Sequence, residues 1–165
     1  MEIRPEQTSD FEQVYAVNSA AFGGEGESKL VEKLRQVQGY ISFVAVENEQ
    51  VIGHISFLPL TLDGRSTFFS GLAPMSVLPG RQKQGIGSAL IATGLDACRS
   101  AGYTAVFVLG HSGYYPRFGF RTAADLGFTC EYPVPPDHFM VIELVENSLA
   151  ESSGLIKYDD AFAGL

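Results

Sequence analysis

The chain has 165 residues, 45% of them hydrophobic and 18% charged, a balance that predicts one globular domain over residues 1–165 with a core of its own. Its formal net charge of −8 excludes a nucleic-acid partner, which needs a basic stripe, and favours a cationic substrate such as an amine. Cys98 and Cys130 make no CxxC pair and stand near no histidine cluster, no apolar run reaches the length of a membrane span, and Met1 to Glu6 is too acidic for a signal peptide; the expectation is a cytoplasmic protein with no metal, no disulfide framework and no membrane partner.

Ile3 to Pro5 reads as a short first strand. Ser9 and Glu12 have capping-box spacing, and Phe11, Val14, Tyr15 and Phe22 follow at the period of one helical face. Gly23 to Glu27 ends that helix. Ser28 is placed to cap a second helix with the face Leu30, Val31, Leu34 and Val37, closed by Gly39. The period then changes to two. Ile41 to Glu47, Val51 to Leu60 and Ser66 to Val77 read as an antiparallel meander turned at Asn48-Glu49 and Asp63-Gly64. Pro74 cannot donate to a ladder, so pairing must break or bulge there.

A third helix follows Gly87, with Leu90, Ile91, Leu95 and Cys98 on one face, and ends at Gly102. Ala105 to Leu109 is a short apolar strand, and this strand–helix–strand unit implies parallel pairing. Phe139 to Val145 is the expected last strand. The core is expected to span about residues 3–145, with a weakly patterned tail over 147–165. The fold class is α/β with a mixed sheet: antiparallel N-terminal strands, then a parallel unit.

Between the fourth expected strand, Ser66 to Val77, and the third helix lies Gln82-Lys83-Gln84-Gly85-Ile86-Gly87-Ser88. Glycines let backbone N–H groups face outward, and a helix start adds unpaired donors and the positive end of its dipole. This suits an anion such as a pyrophosphate. The dinucleotide fingerprint is excluded because Leu90 holds the third glycine position, and the P-loop because no Gly-Lys-Ser/Thr triplet follows. A helix-capping turn without a ligand remains the plain alternative for the loop alone.

The order of Ala73 to Pro79, this loop, and Tyr115-Pro116-Arg117-Phe118-Gly119-Phe120 resembles the GNAT superfamily of acyl-CoA N-acyltransferases over about Ile3 to Leu144. The resemblance implies a GNAT-like fold with a splayed cofactor cleft. It implies that Met75, Ser76 and Val77 offer backbone groups to acetyl-CoA. Gln82, Lys83, Gln84, Gly85, Ile86, Gly87 and Ser88 would hold its pyrophosphate, and a backbone N–H near Val77 would stabilise the oxyanion. It implies Tyr115 as the proton donor to the departing thiolate, with Tyr114, one residue away in register, as the competing candidate. The activity implied is transfer of acetyl to a primary amine of a small molecule or protein, with a non-catalytic acyl-CoA-binding module as the alternative. A homodimer is open. The base is unassigned among Glu25, Glu27, His54 and His111. The chain lacks the family's asparagine after the fifth strand, where Gly110, His111 and Ser112 stand instead.

Overall fold

The computed structural model describes residues 1–164. Strand β1 (Glu2–Pro5) pairs antiparallel with β2 (Ile41–Glu47), which leads through β3 (Gln50–Leu62) into β4 (Arg65–Val77) as an antiparallel meander. Both hairpin turns are left-handed at two residues: φ is 51° and 63° at Asn48 and Glu49, and 50° and 79° at Asp63 and Gly64. That backbone matches the twist of the flanking strands. At Pro74 the ladder breaks. Leu72 lies opposite Phe57 and Met75 opposite Ile55, so two residues of β4 face one of β3. Ser56 fills the irregularity by donating to the Ala73 carbonyl at 2.9 Å.

Helices α1 (Phe11–Phe22) and α2 (Gly26–Leu34) cover one face of the sheet and α3 (Ile86–Ser100) the other. Strand β5 (Ala105–Leu109) follows α3 and runs parallel to β4. Beyond it β6 (Arg121–Thr122), β7 (Phe128–Cys130), β8 (Phe139–Glu143) and β9 (Gly154–Lys157) complete a nine-stranded mixed sheet. Side chains of adjacent strand residues go to opposite faces. Val106 and Val108 therefore meet Leu90 and Ile91 on the α3 side, while Phe107 joins Phe69, Phe128 and Phe139 on the other.

Several local expectations change. The N-terminal box is built two residues earlier than Ser9, from Gln7 and Asp10: Asp10 accepts from the Gln7 N–H at 2.7 Å and pairs with both terminal guanidinium nitrogens of Arg4, at 2.6 and 2.9 Å. The guanidinium holds the Asp10 carboxyl below its usual range. Ser28 is no cap. It lies inside α2, buried, and its hydroxyl ties the two helices by donating to the Tyr15 carbonyl at 2.7 Å. Gly39 belongs to the turn after α2, which ends at Leu34. Phe11 and Phe22 are exposed, Phe11 carrying the Arg35 guanidinium 3.7 Å above its ring. The core does not stop near residue 145, because β9 pairs with β3 and β7, and Leu149, Ile156, Tyr158 and Phe162 are buried.

Candidate functional site

Strand β4 outruns its partner. Its parallel register with β5 covers Phe69–Leu72 against Ala105–Val108, and β4 then continues to Val77. The Leu78 N–H donates to the Ile52 carbonyl at 2.9 Å across the Gly53–Val77 pair. In an antiparallel ladder, main-chain groups alternate sides at each residue. Those of Ser76 therefore turn to β3, and those of Met75 and Val77 turn to the open edge. Two cavities flank this edge and share Phe22, Met75 and Tyr114.

The first cavity, about 640 Å³, is lined by Met75, Ser76, Val77, Gln82, Lys83, Gly85, Ile86, Gly87 and Ser88, with Ala21, Phe22, Arg81, Tyr114 and Arg117. Lys83 and Gly85 are left-handed, with φ of 63° and 84°, so the chain coils before α3 starts. The first N–H groups of a helix have no partner within it; those of Ile86, Gly87 and Ser88 head this wall, and the first bond of the turn is Ala89 N–H to the Gly85 carbonyl. Gly87 allows close approach: a Cβ there would stand 2.8 Å from Tyr114 Oη, so a larger residue must shift that side chain. Lys83 and Arg117 supply cations, whereas Arg81 is already paired with Glu47 at 3.0 Å. The Ser76 hydroxyl is buried without a partner, an orphaned donor on this wall. Gln82 uses its amide on the Val77 carbonyl at 3.2 Å, which braces the strand end. Gln84 does not line the cavity. Its Oε1 accepts from Arg81 at 3.2 Å.

The second cavity, about 450 Å³, holds Tyr115, Gly110, His111, Glu27 and Phe162 among its walls. Tyr115 starts a single 3-10 turn, Tyr115–Phe118, and its ring stacks edge-on against Tyr114 and Phe120. Burial, and then the neighbouring Tyr114, push its hydroxyl up to about 12, so it stays a proton donor throughout the neutral range. Gly110 lies flat under this ring, where a Cβ would sit 2.3 Å from a ring carbon, and its N–H is taken by the His138 carbonyl. Of the three residues standing where the family asparagine is missing, Gly110 thus has no free donor and Ser112 lines neither cavity; His111 reaches the second.

The four candidate bases separate. Glu25 accepts from Tyr15 Oη at 3.0 Å and lines neither cavity. Glu27 and His111 line the second. His54 is fully buried in a network of its own. Asn18 Nδ2 donates to the Val14 carbonyl at 3.1 Å and to His54 Nδ1 at 3.2 Å, leaving His54 Nε2–H to donate to Ser42 Oγ at 2.9 Å. Nδ1 is an acceptor, and burial, with Arg35 nearby, pushes the ring down to about 3. Arg117, Ala21 and Phe22 lack any signal in the loop motif. Only the fold carries them to the first cavity.

A pH prediction arises from His54. An unfolded histidine protonates near pH 6.5 and the folded ring only near 3, so the unfolded state binds more protons between those values and stability falls as pH drops. Denaturant unfolding at pH 5.5 is expected to give a stability about 1.4 kcal/mol below that at pH 7.5. The His54 ring resonances should not move between them. A His54 resonance titrating near pH 6.5 would contradict the buried neutral ring.

Residues 2–123 match the family model described as an acetyltransferase (GNAT) domain. The chain is 34% identical over 165 residues to the uncharacterized N-acetyltransferase YhbS of Escherichia coli K12, covering 98% of each. It is 38% identical over 136 residues to the uncharacterized N-acetyltransferase YjhQ of the same strain, covering 79% of this chain and 75% of the relative. The crystal structure of Escherichia coli YhbS in complex with CoA superposes with a TM-score of 0.93, covering 98% of this chain and 91% of that one. A GNAT family acetyltransferase from Brucella melitensis in complex with acetyl-CoA, 34% identical, superposes at 0.82, covering 98% and 97%.

Proposed function

This chain belongs to the GNAT family of N-acetyltransferases, and on that premise we propose that it takes acetyl from acetyl-CoA at the open edge of β4 and passes it to an amine in the second cavity. The carrying observation is that the edge-facing main-chain groups of Met75 and the Val77 N–H share one cavity with the N–H-lined turn Gln82–Ser88, while the Val77 carbonyl is held by the Gln82 amide. Extended amide chains add to such an edge as another strand would, and the pantetheine arm is one. Backbone N–H groups of Gly85 to Ser88, with Lys83 and Arg117, take the phosphates. The cation set suits them in an otherwise acidic chain. The Ser76 hydroxyl gains a partner when the cavity is filled.

The Val77 N–H faces the thioester oxygen and stabilises the charge that gathers there. The neutral amine attacks the carbonyl carbon; a C–N bond forms and the C–S bond breaks. Tyr115 donates a hydrogen bond to the departing thiolate. With its hydroxyl near 12 and a thiol near 8.5, full proton transfer would be uphill by about 5 kcal/mol, so hydrogen bonding as charge develops is the role that fits. Two relatives of similar length have been crystallised with CoA or acetyl-CoA, which supports the donor, and a buried tyrosine beside the edge favours an enzyme over a module that only binds.

Calorimetry with acetyl-CoA, followed by thiol release against a panel of amines, tests the reading. Micromolar binding with amine-dependent thiol release is expected. Absence of acetyl-CoA binding to folded, ligand-free protein would sink it.

A further inference from the structure

The second cavity lies where the open edge of β4 meets the end of β5, and its walls have a one-sided chemistry. Phe22 from α1, Leu30 from α2, Leu109 from β5 and Phe162 from the C-terminal turn surround it. Glu27, in the first turn of α2, is its one carboxylate, and no lysine or arginine lines it among the described residues. About 450 Å³ is the size of a small-molecule site. We propose that the acceptor is a small primary amine carried on a single apolar, aryl-sized body, with Glu27 recognising its ammonium group and Phe162 its apolar end. This deepens the acetyltransferase reading and rests on it.

A buried cation needs a partner, and an apolar wall offers none. One carboxylate satisfies one ammonium. A polyamine or an aminoglycoside would bring further ammonium groups against Phe22, Leu30, Leu109 and Phe162, each losing water for no ion pair. An apolar body instead gains by covering those side chains. Glu25 does not supply a second carboxylate, being held by Tyr15 outside the cavity. Phe22 is 45% exposed although large and apolar, and it stands between the two cavities. Such a side chain is suited to cover a ligand.

The chemistry balances without a further reactant. The ammonium loses one proton to solvent at the exposed His111 rim. Its nitrogen lone pair forms the amide bond, and the thioester bonding pair leaves with sulfur. The second proton shed by nitrogen equals the one that the thiolate gains. The sum is ammonium plus acetyl-CoA giving acetamide, CoA thiol and one proton.

Thiol release by the full chain with 2-phenylethylamine, spermidine and kanamycin, beside acetyl-CoA calorimetry, tests the assignment. The expected kcat/KM for 2-phenylethylamine exceeds that for either polycation by about tenfold or more, the ratio expected of one well-filled apolar pocket. Phe162→Leu, chosen because the shorter Phe162→Ala leaves a cavity beside Tyr158, should raise KM for 2-phenylethylamine severalfold at unchanged kcat and unchanged acetyl-CoA affinity. Glu27→Gln should lower kcat/KM for the amine about tenfold with donor affinity intact. A preference for spermidine or kanamycin, no turnover of 2-phenylethylamine by protein that binds acetyl-CoA, or an unaltered KM in both variants overturns the acceptor class while leaving the donor site standing. Failure to bind acetyl-CoA at all overturns both readings.

Discussion

Gly87→Trp is expected to weaken acetyl-CoA binding by at least about 100-fold, equivalent to about 2.8 kcal/mol. The position lies in the first turn of α3, on the wall formed by the turn and facing Tyr114, and even a Cβ there would approach Tyr114 Oη to 2.8 Å. An indole must either enter the first cavity or displace Tyr114, and both outcomes remove the space above the N–H groups of Ile86 to Ser88. The backbone at Gly87 is helical, unlike that of Gly85 with its φ of 84°. The variant should therefore keep its circular dichroism spectrum and melt cooperatively. Gly85→Trp would confound binding with backbone strain. Isothermal calorimetry decides the matter: affinity within a few-fold of wild type would remove the turn from the donor site.

Tyr115→Phe is expected to lower kcat about 100-fold, the lower part of the range for a positioned proton donor, with acetyl-CoA affinity unchanged. The ring is packed against Gly110, Tyr114 and Phe120 and only the hydroxyl is lost, so the fold should tolerate it. Because burial pushes the hydroxyl up to about 12, kcat should show no alkaline decline from this group below about pH 10. Tyr114→Phe is the control. That residue touches both cavities and its hydroxyl stands over Gly87, so its loss should act mainly on donor affinity. Pre-steady-state thiol release in the two variants separates the roles, and full kcat in Tyr115→Phe would transfer the donor role to Tyr114.

The parts of this fold that could be read in advance are those whose local chemistry and tertiary role agree. Asn48-Glu49 and Asp63-Gly64 tolerate the left-handed backbone that a hairpin needs, and β5 is one apolar run bounded by turn residues; both fall where their residues predict. The loop was legible because glycine spacing and the helix start repeat one physical demand. Strands β6, β7 and β9 are two to four residues long, too short for alternation to register. Tyr158 and Phe162 look like tail residues until β9 pairs with β3 and carries them inward. Periodicity also misassigned Phe11 and Phe22 to a buried face. Phe11 instead stacks with Arg35, and Phe22 borders the two cavities. Arg117 reaches the first cavity through a fold-level contact, with its guanidinium 4.6 Å from the Tyr114 ring centroid.

The two cavities differ in how their walls are spread along the chain. Most of the first comes from the contiguous segment Met75–Ser88, whereas the second is gathered from residues as far apart as Phe22, Leu30, Leu109 and Phe162. On the proposed assignment, a lineage inheriting this scaffold can alter its acceptor one codon at a time, at positions distant in the gene, while the stretch proposed to grip the donor is transmitted intact. Divergence in this lineage should accumulate around the amine first, and homologues that share the loop need not share a substrate.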